Sequence, residues 1–303
     1  MTARRLTLFI LPIALFLFSS LADSTLPETS LQVAVDQAMQ GHVGAIVVVK
    51  VTSERILAAR NLDVAGKELV RPGSTLKPFV VLELLETGKL DAKQRLLCRR
   101  PLNIGGVRMD CSHTRDVTEL DADDAIAYSC NSYVAAVTLR LDEGELLGAL
   151  RRAGLDSPTG LAKSESAGRI ERPANQGQLQ LTALGERGIE VTPLGLLEAY
   201  RKLALRKRAG SVAAGGAVFD GLEHAVAYGT AHGAFVEDMK VAGKTGTAAA
   251  ANNPRTHGLF VGYAPAEQPE IAVVVYLKQG RGPDAAMVAR AVFAEYAQMM
   301  KKP

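Results

Sequence analysis

Along this chain the spacing of apolar positions switches between helical and strand periods, and the switches mark its organisation. Leu31, Val35, Ala38 and Met39 recur at helical spacing and stop at Gly41, which predicts a helix over residues 31–40. Residues 44–51 are instead a β-branched run, and residues 54–60 are its predicted hairpin partner. From about residue 74 to 210 helical patterns separated by turns take over. Thr192 before Pro193 is a strong start signal, a hydroxyl cap with proline in the first turn, followed by Leu194, Leu197, Ala199, Tyr200 and Leu203 as the buried stripe. Strand patterns return after Val241, over 257–263 and 271–277 on either side of a turn at Pro265 and Pro269, and Pro283 with Asp284 opens a last helix through Met300.

Strands at both extremes with helices between them predict an α+β fold. An antiparallel sheet is built from both chain ends and flanked by terminal helices, and an all-helical subdomain over about 74–210 is inserted into it. The two parts meet at a cleft, a common place for a ligand site. This gives one folded domain over residues 23–303 behind a leader over 1–22, with no internal repeat.

Composition narrows the class. Apolar residues make up 48% and charged residues 22% of the 303, the balance of a globular chain. A net charge of +3, from 35 basic and 32 acidic residues with no basic run, argues against nucleic acid as a partner. At the start, Arg4 and Arg5 precede an uncharged stretch over residues 6–22 that ends with small residues at Ser20 and Ala22. A cleaved signal peptide and an uncleaved membrane anchor both fit, and either places the remainder outside the cytoplasm, with membrane contact through residues 6–22 in the second case. Export bears on Cys98, Cys111 and Cys130. A disulfide between Cys98 and Cys111, across a turn-rich stretch containing Pro101, Gly105 and Gly106, would stabilise the fold by about 3 kcal/mol. The competing reading is a metal site of Cys98, Cys111 and His113, which shows three ligands and ranks below the bridge.

Three groups carry chemistry. Ser74 and Lys77 lie three apart in the first turn of a predicted helix, so hydroxyl and amine share a face, and a lysine whose pKa is lowered by burial can deprotonate a serine. Alone, this spacing describes a capping serine and a solvated lysine equally well. Lys244, Thr245, Gly246 and Thr247 lie on a predicted strand, with Lys244 and Gly246 facing one way and the threonines the other. They offer a cation and hydroxyls to a carboxylate, while a strand edge can pair with a peptide. Between them Ser129 and Asn131 follow a helix capped by Asp121. A plain interhelical turn would use the same residues.

The ordered trio Ser74-x-x-Lys77, Ser129-x-Asn131 and Lys244-Thr245-Gly246-Thr247 resembles the signature motifs of the penicillin-binding proteins and serine β-lactamases. Pro72 and Gly73 before the serine, Val191 to Leu194 before a helix, and Phe260 to Pro265 after the last motif resemble class B transpeptidase domains in particular. The likeness spans about residues 44–295. It implies Ser74 as the acylated nucleophile, Lys77 as general base and Ser129 with Asn131 as a proton relay. It also implies Lys244, Thr245 and Thr247 as the carboxylate site, and the backbone N–H groups of Ser74 and Thr247 as the oxyanion hole. It further implies a D,D-transpeptidase acting on D-Ala-D-Ala stem peptides of peptidoglycan, with β-lactams as covalent inhibitors and no cofactor. Class B enzymes usually carry a long pedestal domain, whereas some 20 residues separate Ala22 from the first strand here, which points to a free-standing transpeptidase domain. A D,D-carboxypeptidase, a serine β-lactamase and a non-catalytic β-lactam or peptidoglycan binder are the alternatives. Against the lactamase, Glu165 has Arg169 four residues on where the class A pattern has Asn, so Glu165 reads as a solvated loop charge. The histidines read as surface or core residues, and Tyr128 and Tyr133 as packing residues.

Overall fold

The structure, a computed structural model, describes residues 26–211, 214–249 and 256–301, so the leader expected over 1–22 lies outside the described residues. Five strands make the central sheet: β1 (Gly44–Lys50), β2 (Ile56–Arg60), β3 (Ala242–Ala249), β4 (Thr256–Ala264) and β5 (Ile271–Leu277). Their order is β2-β1-β5-β4-β3, and every neighbouring pair is antiparallel. Ten α-helices are described: α1 (Leu26–Ala38), α2 (Leu62–Lys67), α3 (Lys77–Glu86), α4 (Ala122–Ala127), α5 (Asn131–Thr138), α6 (Glu143–Arg152), α7 (Gln176–Ala183), α8 (Pro193–Arg208), α9 (Gly216–Ala227) and α10 (Gly282–Lys301).

The central strands are continuous apolar runs because both faces of the sheet are covered. On β1, Ile46 and Val48 point into one core and Ala45, Val47 and Val49 into the other. β5 repeats the division, with Val273 and Val275 on the first side and Ala272, Val274 and Tyr276 on the second. The first core is closed by Leu31 and Val35 of α1, by Met39 just after it, and by Ala289, Val292 and Phe293 of α10. The second is closed by α8 through Leu194, Leu197 and Tyr200, and it continues through Leu76 into α3 with Val80 and Leu84. The sheet is thus the floor of the helical region, and the α+β class with flanking terminal helices is as the sequence predicts.

Capping follows the local chemistry. Thr192 Oγ1 accepts from the Gly195 N–H at 3.0 Å, and Asp121 accepts from the Asp124 N–H at 3.2 Å. Two details depart from expectation. The hairpin partner begins at Ile56 instead of 54, because Glu54 occupies the left-handed region (φ 58°) inside the turn, with its N–H on the Lys50 carbonyl. The inserted part is not purely helical, since it also holds the two-residue pairings Leu96–Leu97 with Glu119–Leu120, Asn103–Ile104 with Val107–Arg108, and Arg169–Ile170 with Ile189–Glu190. The second of these exists because Gly105 and Gly106 both take positive φ (54° and 78°), the geometry of a tight hairpin turn.

Candidate active site

Ser74 lies in a short 3-10 turn, Gly73–Leu76, that runs directly into α3 with Pro78 in its first turn. Backbone contacts lock this turn from several sides. Gly73, at φ 53°, donates its N–H to the Gly185 carbonyl at 3.0 Å, and a Cβ on Gly185 would lie 2.3 Å from the Gly73 oxygen. Only glycine permits that approach. Thr75 Oγ1 donates to the Pro72 carbonyl at 2.7 Å, and the Tyr200 hydroxyl of α8 donates to the Thr75 carbonyl at 2.8 Å. His257 of β4 is buried, which holds its imidazole below the usual range, and its Nε2 lies 2.8 Å from the Arg71 carbonyl. The neutral ring donates there. Ser74 itself stays half-buried, so its hydroxyl is reachable.

Lys77 is fully buried (0% exposed) one step along the same turn. Its Nζ donates to Asn131 Oδ1 at 2.5 Å, to the Ser129 carbonyl at 2.6 Å and to Ser129 Oγ at 3.2 Å. Burial pulls its pKa from 10.5 to about 8, against the opposing pull of Cys130, Cys111 and Glu186. About a tenth of the amine is therefore neutral at pH 7. Ser129 reaches Lys77 because it takes a left-handed backbone (φ 57°) between α4 and α5, a strained choice for a residue with a Cβ. Asn131 is held in turn by its Nδ2 on the Met109 carbonyl at 3.0 Å.

The opposite wall is β3, which ends the sheet. Gly246 faces the Ser74 turn so closely that a Cβ would meet the Pro72 oxygen at 2.6 Å, and a Cβ on Gly73 would meet the Thr247 carbonyl at 3.1 Å. Serine turn and strand edge therefore touch through backbone. Lys244 is fully buried, with Nζ 3.2 Å from the Thr245 carbonyl and 3.5 Å from Thr230 Oγ1. Burial, seconded by the Lys77 charge, lowers its pKa well below the usual lysine range. Thr245 Oγ1 donates to Thr230 Oγ1 at 3.2 Å. Thr245 and Thr247 both pack against the start of α10, where the Gly282 N–H donates to Thr247 Oγ1 at 2.8 Å.

Ser74, Lys77, Ser129, Asn131 and the residues from Lys244 to Thr247 are thus brought together between sheet and helices. Glu165 is placed apart in function: its carboxylate accepts from the Thr159 N–H and hydroxyl and from the Ala162 N–H, so it is consumed by its own loop and half-buried there. Cys98, Cys111 and Cys130 carry free thiols in the structure, and the Sγ atoms of Cys98 and Cys111, the pair the sequence offers for a disulfide, lie 3.5 Å apart. His113 joins the cluster, with Nε2 3.5 Å from Cys98 Sγ. Tyr133 is buried in the core, its hydroxyl donating to the Gln94 carbonyl, and Tyr128 packs between His113 and Tyr228.

Sequence reasoning missed four residues here. Thr230 touches both Lys244 and Thr245 from the loop after α9, and nothing in its sequence neighbourhood signals this. Glu186, next to the Gly185 that braces Gly73, carries a carboxyl pushed up by burial and pulled down by Lys77 and Arg71. His257 holds the Arg71 carbonyl at the mouth of the serine turn. Cys130, lying between Ser129 and Asn131, could have been flagged by that position alone.

The sequence profile of the penicillin-binding protein transpeptidase domain matches residues 44–298, and the chain belongs to that family. Among curated relatives, the chain is 26% identical to the peptidoglycan D,D-transpeptidase MrdA of Acinetobacter baumannii, over 91% of this chain and 54% of the relative. It is likewise 26% identical to the peptidoglycan D,D-transpeptidase PbpA of Mycobacterium tuberculosis, over 71% of this chain and 51% of the relative. The chain therefore spans about half the length of the curated relatives it matches. In fold it is similar to the transpeptidase domain of Burkholderia pseudomallei penicillin-binding protein 3, with a TM-score of 0.81 at 19% identity over 91% of this chain and 95% of that one.

Proposed function

We propose that this chain is a serine D,D-transpeptidase that acts on D-Ala-D-Ala stem peptides of peptidoglycan through a Ser74 acyl-enzyme, and that β-lactams trap it covalently. The observation that carries the reading is Lys77: a buried amine with its pKa near 8, hydrogen-bonded to Ser129 and Asn131 and one turn from a reachable serine hydroxyl. Its neutral fraction accepts the Ser74 proton as Oγ attacks the carbonyl of the penultimate D-Ala. The Ser74 and Thr247 N–H groups hold the developing oxyanion, a contribution of about 3 kcal/mol per donor. Ser129 Oγ passes a proton to the leaving D-Ala amine, and an incoming amine of a second stem peptide then takes the acyl group, freeing Ser74.

Lys244 supplies the charge for the substrate's terminal carboxylate, and a carboxylate there restores protonation to an amine that burial otherwise depresses. Thr245 presents its hydroxyl beside it, Gly246 leaves room for the peptide backbone, and the free edge of β3 pairs with that backbone. Thr247 contributes its N–H, because its hydroxyl is already engaged by Gly282. Peptidoglycan D,D-transpeptidases among the relatives fit a catalytic domain outside the cytoplasm, which agrees with a signal peptide or anchor in residues 1–22 and with membrane contact through residues 6–22. No cofactor enters the scheme.

Incubation of the protein with a D-Ala-D-Ala stem peptide and an amine acceptor, read by mass spectrometry, tests this directly. Transpeptidation yields the cross-linked peptide and free D-Ala. D-Ala release without cross-linking would move the assignment to a carboxypeptidase, and neither product would overturn it.

A further inference from the structure

Beside the catalytic cleft, and unused by the chemistry above, four soft or borderline donors converge. Cys98, Cys111, His113 and Cys130 each present one ligand atom, and all four atoms lie within 4.8 Å of one another. We propose that these residues bind a single zinc-class divalent cation, which pins the segment carrying Ser129 and Asn131.

The geometry carries this. A tetrahedral zinc ion with Zn–S near ~2.3 Å and Zn–N near ~2.0 Å places neighbouring sulfurs about 3.8 Å apart and sulfur and nitrogen about 3.5 Å apart. Here Cys98 and Cys111 Sγ are 3.5 Å apart, Cys111 and Cys130 Sγ 3.6 Å apart, and Cys98 Sγ and His113 Nε2 3.5 Å apart. These three distances match edges of a coordination tetrahedron, and the other three donor pairs lie within 4.8 Å. A disulfide would use two of the sulfurs and leave the third thiol and the imidazole stranded on the same point.

The surroundings match as well. His113 Nδ1 lies 3.0 Å from the Thr114 carbonyl, and donation there leaves the Nε2 lone pair facing the sulfurs, the arrangement metal-bound histidines adopt. Backbone N–H groups point at two of the sulfurs, Ser132 at Cys111 Sγ and Tyr133 at Cys130 Sγ, both at 3.4 Å. Such donors stabilise bound thiolates. Three thiolates and a neutral imidazole around a divalent cation leave one negative charge, and Arg100 is placed to balance it, its Nε 3.4 Å from Cys98 Sγ. Its Nη2 lies 2.6 Å from His113 Nδ1 and 3.0 Å from Nε2; with Nδ1 protonated toward Thr114 and Nε2 on the cation neither nitrogen can accept from it, so that arm would swing off the ring on loading. A solvent-open groove of about 660 Å³ lined by Cys98, Arg100, Cys111 and His113 provides an access route.

The consequence lies in chain order. Cys130 separates Ser129 from Asn131, the two residues whose side chains hold Lys77. A cation on Cys130 would anchor the strained Ser129 backbone from behind, through residues contributed by the turn-rich segment around Cys98 and Cys111. The ion acts as a positioning element and touches no reacting atom.

The test uses the full chain, reduced, stripped with a chelator and titrated with zinc chloride, with uptake read by native mass spectrometry. Cobalt chloride is the second probe, because thiolate ligation to cobalt gives intense charge-transfer absorption. The proposal expects one zinc per chain, cobalt–thiolate bands, a Tm that rises with zinc, and uptake at least about tenfold weaker in Cys111→Ser, Cys130→Ser and His113→Ala. If those variants fail to fold, wild-type cobalt spectra and the zinc-dependent Tm still decide. No uptake by wild type, uptake unchanged in all three variants, or a zinc-free protein with Cys98 and Cys111 joined by mass mapping would each overturn it.

Discussion

Replacing Asn131 by aspartate places a carboxylate where the amide oxygen now sits, 2.5 Å from Lys77 Nζ. Two opposite charges about 3 Å apart at an effective dielectric of about 20 attract by roughly 5 kcal/mol. The new carboxylate loses much of that to its own desolvation, so a rise in the Lys77 pKa of about two units is the working figure, within the usual range for an adjacent opposite charge. Starting from about 8, the amine then titrates near ~10, and its neutral fraction at pH 7 falls about 100-fold, equivalent to about 3 kcal/mol of barrier. The assay is the second-order rate of covalent labelling by a fluorescent penicillin from about pH 6 to about pH 10. Wild type rises tenfold per pH unit and bends near 8; Asn131→Asp starts about 100-fold lower and keeps climbing. Asn131→Ala, which removes the hydrogen bond without adding charge, lowers the rate without moving the bend upward. An aspartate variant that bends where wild type does, or a wild-type rate flat across this range, would refute Lys77 as the base.

Gly185→Ala forces a Cβ to within 2.3 Å of the Gly73 oxygen at a φ of 74°, so stability falls by about 2 kcal/mol or more and penicillin labelling falls with it, read by denaturant titration and gel fluorescence. Thr230→Val removes the hydroxyl shared by Lys244 and Thr245. It should raise KM for a carboxylate-bearing substrate several-fold, about 1 kcal/mol, with Tm nearly unchanged. Arg201→Met leaves Glu198 and the Val51 carbonyl without their buried partner and costs about 3 kcal/mol in urea unfolding. Lys77 has a depressed pKa in the folded state, so between about 8 and 10.5 the unfolded chain holds a proton that the folded chain has released. Stability therefore rises with pH across that window, and Lys77→Met should reduce this rise by about 3 kcal/mol, measured as the difference between the two denaturation profiles.

Legibility from the sequence divides along a physical line. The run over 271–277 coincides with β5, because a strand buried on both faces needs apolar residues at every position. Thr192 marked the start of α8 because its cap is made three residues away. The spacing of Ser74 and Lys77 likewise put them on one turn. What could not be read is whatever depends on distant partners. The left-handed Ser129, Thr230 against Lys244, Glu186 near Lys77 and the meeting of Cys130 with Cys98 and Cys111 are created by packing α4, α5 and the loop after α9 against the cleft. The short pairing at Leu96–Leu97 was hidden for a related reason: two residues carry no period.

Proteolytic mapping of the protein after exposure to penicillin is the most direct measurement of whether a lysine-activated serine operates in this cleft. The account predicts a mass gain equal to one drug molecule on the peptide containing Ser74, absent from Ser74→Ala. An unmodified protein, or a drug adduct located on another residue while Ser74 stays free, would contradict it.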